Sequence, residues 1–385
     1  MRVTIRSGPP RATGRSPHGH RRRLLAIAPL VLVAFLAAGA AVGAGRSDPP
    51  ARTPAQADVV MPAAVPDALP FAGSGAISYG LAEPAGSLPG SDTPADRAAW
   101  SQIRSDVTGS GGCWLRSDLD TWLTRAIDAF DWLGSPAACT ASPGSPVKVL
   151  AILDDQTVWA ARRLCPDTVF SVGYRAHRGD FTLDDWGALV RCVARRYAGR
   201  ISAYEIWNEP VLPGSMFGYQ DGTAAHYFEL LRIADTEIKA ADPTATVIAL
   251  GGSDLYAGGE RARLDLMRSF TTQLIALGAA RYADAISLHA YPWGRHDGPV
   301  WTSYEAELRF QAGAWAKPVW ITETGQRASD GWTQTAYMET AYGLFAGAGI
   351  RHIFWFSITD QPDGDFGLRG RPVEAAMRAF ARAHR

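Results

Sequence analysis

The sequence has no C-x-x-C pair, its only H-x-H (His18 to His20) lies in an Arg-rich leader, and no G-x-G-x-x-G turn follows its first strand-like run. The first two absences leave a zinc-type centre without its usual ligands. The third removes the phosphate-binding turn of a doubly wound dinucleotide fold. A basic stripe is also missing. Residues 1–46 carry eight Arg and no Asp or Glu; taking them from 38 basic and 38 acidic residues leaves 30 against 38, a balance of −8. Nucleic acid requires clustered Lys and Arg to meet its phosphates, so that partner is excluded. No metal or organic cofactor is expected.

What is present begins with an uncharged, mostly apolar run, residues 24–45, behind Arg21, Arg22 and Arg23 and ending in small residues. A positive flank, an apolar centre and small residues are the layout of an export signal. The run is also long enough, at about 20 residues, to stay as a membrane anchor. Residues 1–46 are therefore read as a signal peptide or N-terminal membrane anchor, and the protein as secreted or extracytoplasmic. Residues 47–70 contain six prolines and no aromatic residue, which predicts an extended linker. Residues 71–385 form the folded domain, expected to be a monomer. Its four cysteines, Cys113, Cys139, Cys165 and Cys192, suggest two disulfides in an exported chain. Four cysteines admit three pairings, and nearness in sequence favours Cys113 with Cys139 and Cys165 with Cys192.

Beyond the linker, short apolar or β-branched runs alternate with longer stretches of helical period, which argues for repeated βα units around a parallel sheet. The strand candidates are residues 76–80, 114–116, 147–153, 201–207, 246–250, 285–291, 319–322 and 353–356; helices are expected over 183–197, 224–240 and 333–346. Eight strands predict an α/β fold, a (β/α)8 TIM barrel.

The active site of such a barrel gathers just past the C-terminal ends of its strands. Two carboxylates sit there. Glu209, in "AYEIWNEPV", closes the fourth strand, and Glu323, in "VWITETGQ", closes the seventh, 114 residues later. A lone glutamate at a strand end is ordinarily a solvated or salt-bridged residue. Two held across one barrel mouth are what cleavage of a glycosidic bond needs: one protonates the leaving oxygen, the other attacks the anomeric carbon or activates water.

The motifs "IWNEP" and "WITETG" resemble the acid/base and nucleophile motifs of the retaining glycoside hydrolase clan A barrels, and the pattern is similar to glycoside hydrolase family 39. The resemblance runs over almost the whole chain after the linker. It implies that Glu209 is the general acid/base and Glu323 the nucleophile. It further implies that Arg116 in "WLRSD" and His289 and Tyr291 in "SLHAYPW" lie beside the nucleophile. By the same resemblance Asn208 bonds the sugar 2-hydroxyl and Trp355 in "IFWFS" supplies an aromatic platform. The implied activity is hydrolysis of O-glycosidic, β-linked bonds of a carbohydrate substrate by double displacement.

The residues themselves agree. Ser287, His289 and Tyr291 alternate with Ile286, Leu288 and Ala290, giving one polar strand face and one apolar face. An Arg and a Tyr hydroxyl beside Glu323 would hold it ionised, whereas an acid catalyst needs an apolar setting, for which Trp207, Phe217 and Tyr219 are candidates, with core packing an equally good reading of Trp207. Strict pleating puts Glu205, Trp207 and Glu209 on one face and Asn208 on the other, so a bend is expected where the strand ends. Glu205, deeper in the barrel, is expected to be buried with an Arg partner. Asp154, Asp155 and Gln156 either border a sugar subsite or cap the next helix. Trp293, Trp301 and Trp332 are candidates to stack on sugar rings. A turn-rich mouth loop is the reading of "DQPDGDFG", which lacks the spacing of an EF-hand. Two other classes remain: a non-catalytic cell-surface glycan-binding barrel, which would dispense with one carboxylate, and a metal-dependent hydrolase, which would need several His or Asp ligands at strand ends.

Overall fold

The structure is a computed structural model that describes residues 76–84, 88, 93–129, 145–171, 181–211, 223–254, 261–291, 300–330, 333–362 and 364–384. The leader with its apolar run, the linker, Cys139, Phe217, Tyr219, Trp293 and Trp332 lie outside those residues. No helix among the described residues is long and apolar enough to cross a membrane.

Eight parallel strands close into a barrel: β1 (Ser78–Ala82), β2 (Trp114–Asp118), β3 (Lys148–Leu153), β4 (Ala203–Ile206), β5 (Thr246–Asp254), β6 (Ala285–Ala290), β7 (Val319–Thr324) and β8 (His352–Phe356). Closure is made by β8 on β1, with Ser78 opposite His352 and Ala82 opposite Phe356. The helices are α1 (Pro94–Gly109), α2 (Thr121–Ala129), α3 (Asp155–Leu164), α4 (Leu183–Arg196), α5 (Ala224–Ala241), α6 (Arg261–Leu277), α7 (Val300–Trp315), α8 (Gln334–Gly347) and α9 (Pro372–Ala383). All eight expected strands and the three expected helices are present, with ends displaced by a few residues.

Local chemistry accounts for these elements. The strands β3 and β6 are buried on both faces, as parallel strands between core and helices must be. The start of α4 is set by a capping box in which Thr182 accepts from the Asp185 N–H and Asp185 accepts from the Thr182 N–H, a device worth about 1 kcal/mol. Its Leu189, Val190 and Val193 face the barrel wall while Arg195 and Arg196 complement the negative end of the helix dipole. A disulfide between Cys165, just past α3, and Cys192 of α4 ties the two helices that lie between β3 and β4. Cys113 is also disulfide-bonded.

The bottom of the barrel is filled by aromatic rings. Trp320 stacks on His352 with centroids 3.5 Å apart, and Trp114 meets Trp320 edge-on at 5.5 Å. Phe354 fits only because β1 carries Gly80 opposite it: a Cβ there would fall 2.4 Å from the ring. This plug leaves the polar groups to the other end. Burial, with Lys148 nearby, pushes the His352 imidazole down to about 3. The unfolded chain, with His near 6.5, therefore takes up this proton first on acidification. Stability from the neutral ring is fully present above pH 6.5 and is lost as the pH falls towards 3, on the order of 5 kcal/mol over the whole window. His352→Phe should flatten the loss of stability between pH 6.5 and 4, read as denaturant midpoints at each pH; a slope equal to that of the parent would contradict this placement of His352.

Candidate active site

Inward-facing residues alternate along each strand, so β2 turns Trp114, Arg116 and Asp118 into the barrel and β4 turns Ala203 and Glu205. Glu205 is completely buried and accepts from Arg116 Nε at 2.5 Å and from Thr322 Oγ1 at 2.9 Å. The pleat then breaks. Trp207 has φ 68° and Glu209 φ 47°, left-handed values that a bulky residue adopts at a cost of roughly 1–3 kcal/mol. The expected bend is thus present, but Trp207 does not stay beside Glu209. Its ring turns outward to Trp186 of α4 at 6.3 Å, because the left-handed turn takes it off the inward face. Asn208 and Glu209 then both border the central cavity.

A second irregularity supports the first. The register of β5 against β6 shifts between Ala249 and Ser253, and Leu250, Gly251 and Gly252 all have positive φ. The Gly251 carbonyl accepts from the Glu209 N–H at 2.6 Å. A Cβ on Gly251 would lie 2.2 Å from the Trp207 carbonyl, and one on Gly252 would lie 1.7 Å from His289 Nε2. These two glycines let the acidic corner and the histidine approach the backbone. The double glycine in "IALGGSD" was the available signal, and it was not used.

Glu323 reaches the cavity by a third irregularity. On β7 the alternation Trp320, Thr322 would continue inward with Thr324, but the registers against β6 and β8 both slip before that point. Thr324 instead bonds the Ala290 carbonyl at 2.7 Å, and Glu323 faces the cavity.

Arg116 lies at the centre. Besides Glu205, its guanidinium donates to Glu323 Oε1 at 2.5 Å through Nη1 and to Asn208 Oδ1 at 2.9 Å through Nη2. Nη2 also lies 3.3 Å from His289 Nε2. A guanidinium has no acceptor, so that contact is a hydrogen bond only when Nε2 is unprotonated; the ring proton is then on Nδ1 and is donated to Glu209 Oε1 at 2.9 Å. The same Nδ1 is 3.5 Å from Glu323 Oε2, which accepts from the Tyr291 hydroxyl at 2.6 Å.

Burial alone would raise the Glu323 carboxyl. The charges of His289 and Arg116 and the hydrogen bonds from Tyr291 and Arg116 outweigh it and hold the carboxyl below the usual glutamate value. Burial works against a charged His289 as well, yet the two carboxylates raise its pKa. Burial likewise opposes Arg116, and Glu205 and Glu323 more than restore its charge. Two basic groups of the chain, Arg116 and His289, therefore face the carboxylates.

The structure brings Arg116, Asn208, Glu209, His289, Tyr291 and Glu323 together. It does not bring Trp355. Counting by twos from the inward-facing Phe354 places Trp355 on the outer face, where its ring is fully buried and Nε1 donates to the Phe366 carbonyl at 3.1 Å. The aromatic wall of the cavity is Phe356, packed edge-on with Phe366 from the "DQPDGDFG" loop and with Tyr291 at centroid distances of 5.5–6.2 Å. That loop is held in place by Arg371 and Gln334, which donate to its carbonyls. Sequence reasoning also passed over Glu83 at the end of β1, which accepts from Ile358 N at 2.7 Å and Thr359 Oγ1 at 2.7 Å and so fixes the chain leaving β8. The cavity occupies about 280 Å³.

Comparison with known proteins places the fold. No protein-family model matches this chain, and no curated protein does. Solved structures do match: a β-glycosidase, BGL167, with TM-score 0.52 and 17% identity over 80% of this chain and 96% of that one. A second is the exo-β-1,4-mannosidase Op5Man5 from Opitutaceae bacterium strain TAV5, at 0.51 and 17% over 80% and 60%. A third is a GH39 β-xylosidase from Caulobacter crescentus, at 0.50 and 18% over 81% and 72%. What these likenesses share with the chain is the barrel.

Gly252→Ala should cost about 3 kcal/mol or more, because the new methyl meets both a left-handed φ and the His289 ring. The thermal midpoint should fall by several degrees, and an unchanged midpoint would contradict the close approach of His289 to β5.

Proposed function

We propose that the chain is a retaining glycoside hydrolase in which Glu323 attacks the anomeric carbon and Glu209 protonates the leaving oxygen. One observation carries the reading: both carboxylates reach the same imidazole nitrogen, at 2.9 and 3.5 Å, across a shared cavity. Their nearest oxygens can therefore be no farther apart than those two distances end to end, which supports two acids acting on one glycosidic bond.

The division of labour follows from the surroundings. Glu323, fixed by Arg116 and Tyr291 and kept ionised, is suited to attack and to form a glycosyl ester. Glu209, a quarter exposed, is the more open of the two carboxylates, which suits exchange of a leaving group for water. In the first step it gives its proton to the glycosidic oxygen; in the second it takes one from the water that cleaves the ester. His289 Nδ1, in contact with both acids, steadies Glu209 in each state. The resemblance to clan A, and the activities of the solved structures of the same fold, support a β-linked substrate. A glycan-binding barrel without catalysis would have no need of both acids, and a metal-dependent hydrolase would have to place its ion where Arg116 sits. Action outside the cytoplasm is part of the proposal, supported by the export-like leader and the Cys165–Cys192 bridge.

Glu323→Ala should reduce hydrolysis of the responsive polysaccharide or aryl β-glycoside at least ten-thousandfold, measured by reducing-end release; an unimpaired variant would refute the assignment. Because ionised Glu323 is the active form, activity should fall as the pH drops through its depressed pKa. Tyr291→Phe removes one of the bonds that depress it, so the acid limb of kcat/KM should move to higher pH. A limb that stays in place would show that Tyr291 does not act on Glu323.

A further inference from the structure

The cavity extends from the acid pair towards the ends of β1, β2, β3 and β8, and on that side it contains a residue that the proposed chemistry does not use. Asp118 ends β2, two residues beyond Arg116 on the same face, and borders the cavity while remaining half-buried. Behind it lies Asp154, at 4% exposure, at the end of β3. Asp154 caps α3, accepting from the N–H groups of Gln156 at 2.9 Å and Thr157 at 3.4 Å through Oδ1. The two aspartates are joined side chain to side chain. Two carboxylates cannot hydrogen-bond without a proton between them. Asp154 is the better holder of that proton: its burial comes first, followed by the charges of Asp118 and Asp155, and together these raise its carboxyl well above the usual range despite the N–H bond from Gln156. Among the described residues, Arg116 and Asp120 are further charged neighbours of Asp118.

Resting on the glycosidase reading, we propose that Asp118 selects the sugar ring seated in the cavity by accepting hydroxyls of a neutral sugar, and that Asp154 is its positioning residue, donating a carboxyl proton that fixes the Asp118 lone pairs. The cavity itself provides the second half of the argument. Among the described residues Arg116 is the only arginine or lysine that borders it, and its N–H groups already serve Glu205, Glu323, Asn208 and His289. A uronic acid placed there would set a further carboxylate among Asp118, Glu209 and Glu323 with no further arginine or lysine among the described residues to meet it, which costs far more than a missing contact. A neutral ring offers hydroxyl donors to Asp118 and an apolar face to Phe356.

The test uses the full chain with 4-nitrophenyl β-glucoside, β-galactoside, β-mannoside and β-xyloside, and with the β-glucuronide, alongside the sugar found at new reducing ends when polysaccharides are cleaved. Turnover should be confined to neutral sugars, and new reducing ends should be neutral. Asp118→Asn should raise KM about tenfold or more while kcat stays within about threefold. Asp154→Ala should raise KM similarly, and Asp154→Asn should recover most of that loss, because an amide can accept the helix N–H groups and still donate to Asp118. Side-chain 13C spectra should contain one aspartate that titrates above the ordinary aspartate range, absent in Asp154→Asn. Preference for the glucuronide, uronic acids at the new reducing ends, an unchanged KM in Asp118→Asn, or Asp154→Asn as damaging as Asp154→Ala would overturn the proposal while leaving the roles of Glu209 and Glu323 standing. Activity that survives Glu323→Ala would instead remove the reading beneath it.

Discussion

The site depends on the burial of one guanidinium. Arg116 is 3% exposed in the middle of the barrel, and a lone cation there would be prohibitively costly. Glu205 balances it from below, fully buried and bonded in turn to Thr322, so the cation is fixed before any substrate arrives. Its planar fork then has N–H groups left for the rim, where they meet Glu323, Asn208 and His289. A lysine would offer the charge without the directions. Removing Glu205 would break one of the two buried ion pairs of Arg116 and leave Glu323 as the other, a loss of the order of 3–5 kcal/mol for a broken buried pair.

Everything above Arg116 departs from ideal strand geometry. Regular alternation would turn Trp207 and Thr324 inward and leave Asn208 and Glu323 outside the cavity. Left-handed residues at the end of β4, a glycine-assisted bulge in β5 and register slips on both sides of β7 reverse this. Such irregularity carries an energetic cost, which the regular lower barrel with its aromatic plug can sustain. Rigidity below and strain above divide the molecule into a scaffold and a site.

This division also explains what was legible in the sequence. The eight strands, three of the helices and both acids could be read because β-period runs and strand ends follow from local composition. The bend at Asn208 could be anticipated from the conflict between pleating and function. Of the two readings open for Trp207 the structure has core packing, and Trp355 is not where the motif resemblance implies. Trp207 obeys a left-handed turn that composition does not announce, whereas Trp355 obeys the plain alternation from Phe354. Gly251 and Gly252 were visible as letters, but their meaning depends on His289 and Trp207 lying against them, a contact between elements far apart in the chain. The Asp118–Asp154 pair likewise joins two strand ends that only barrel closure brings side by side.

Mass spectrometry of the protein incubated with an activated 2-deoxy-2-fluoro glycoside of the sugar that it cleaves tests whether Arg116 and its partners hold Glu323 as an ionised nucleophile facing Glu209. A single stable adduct is expected on the peptide that contains Glu323, with the first-formed product of the parent sugar retaining its anomeric configuration by proton NMR. No adduct together with an inverted product, or an adduct on Glu209, would contradict that role of Glu323.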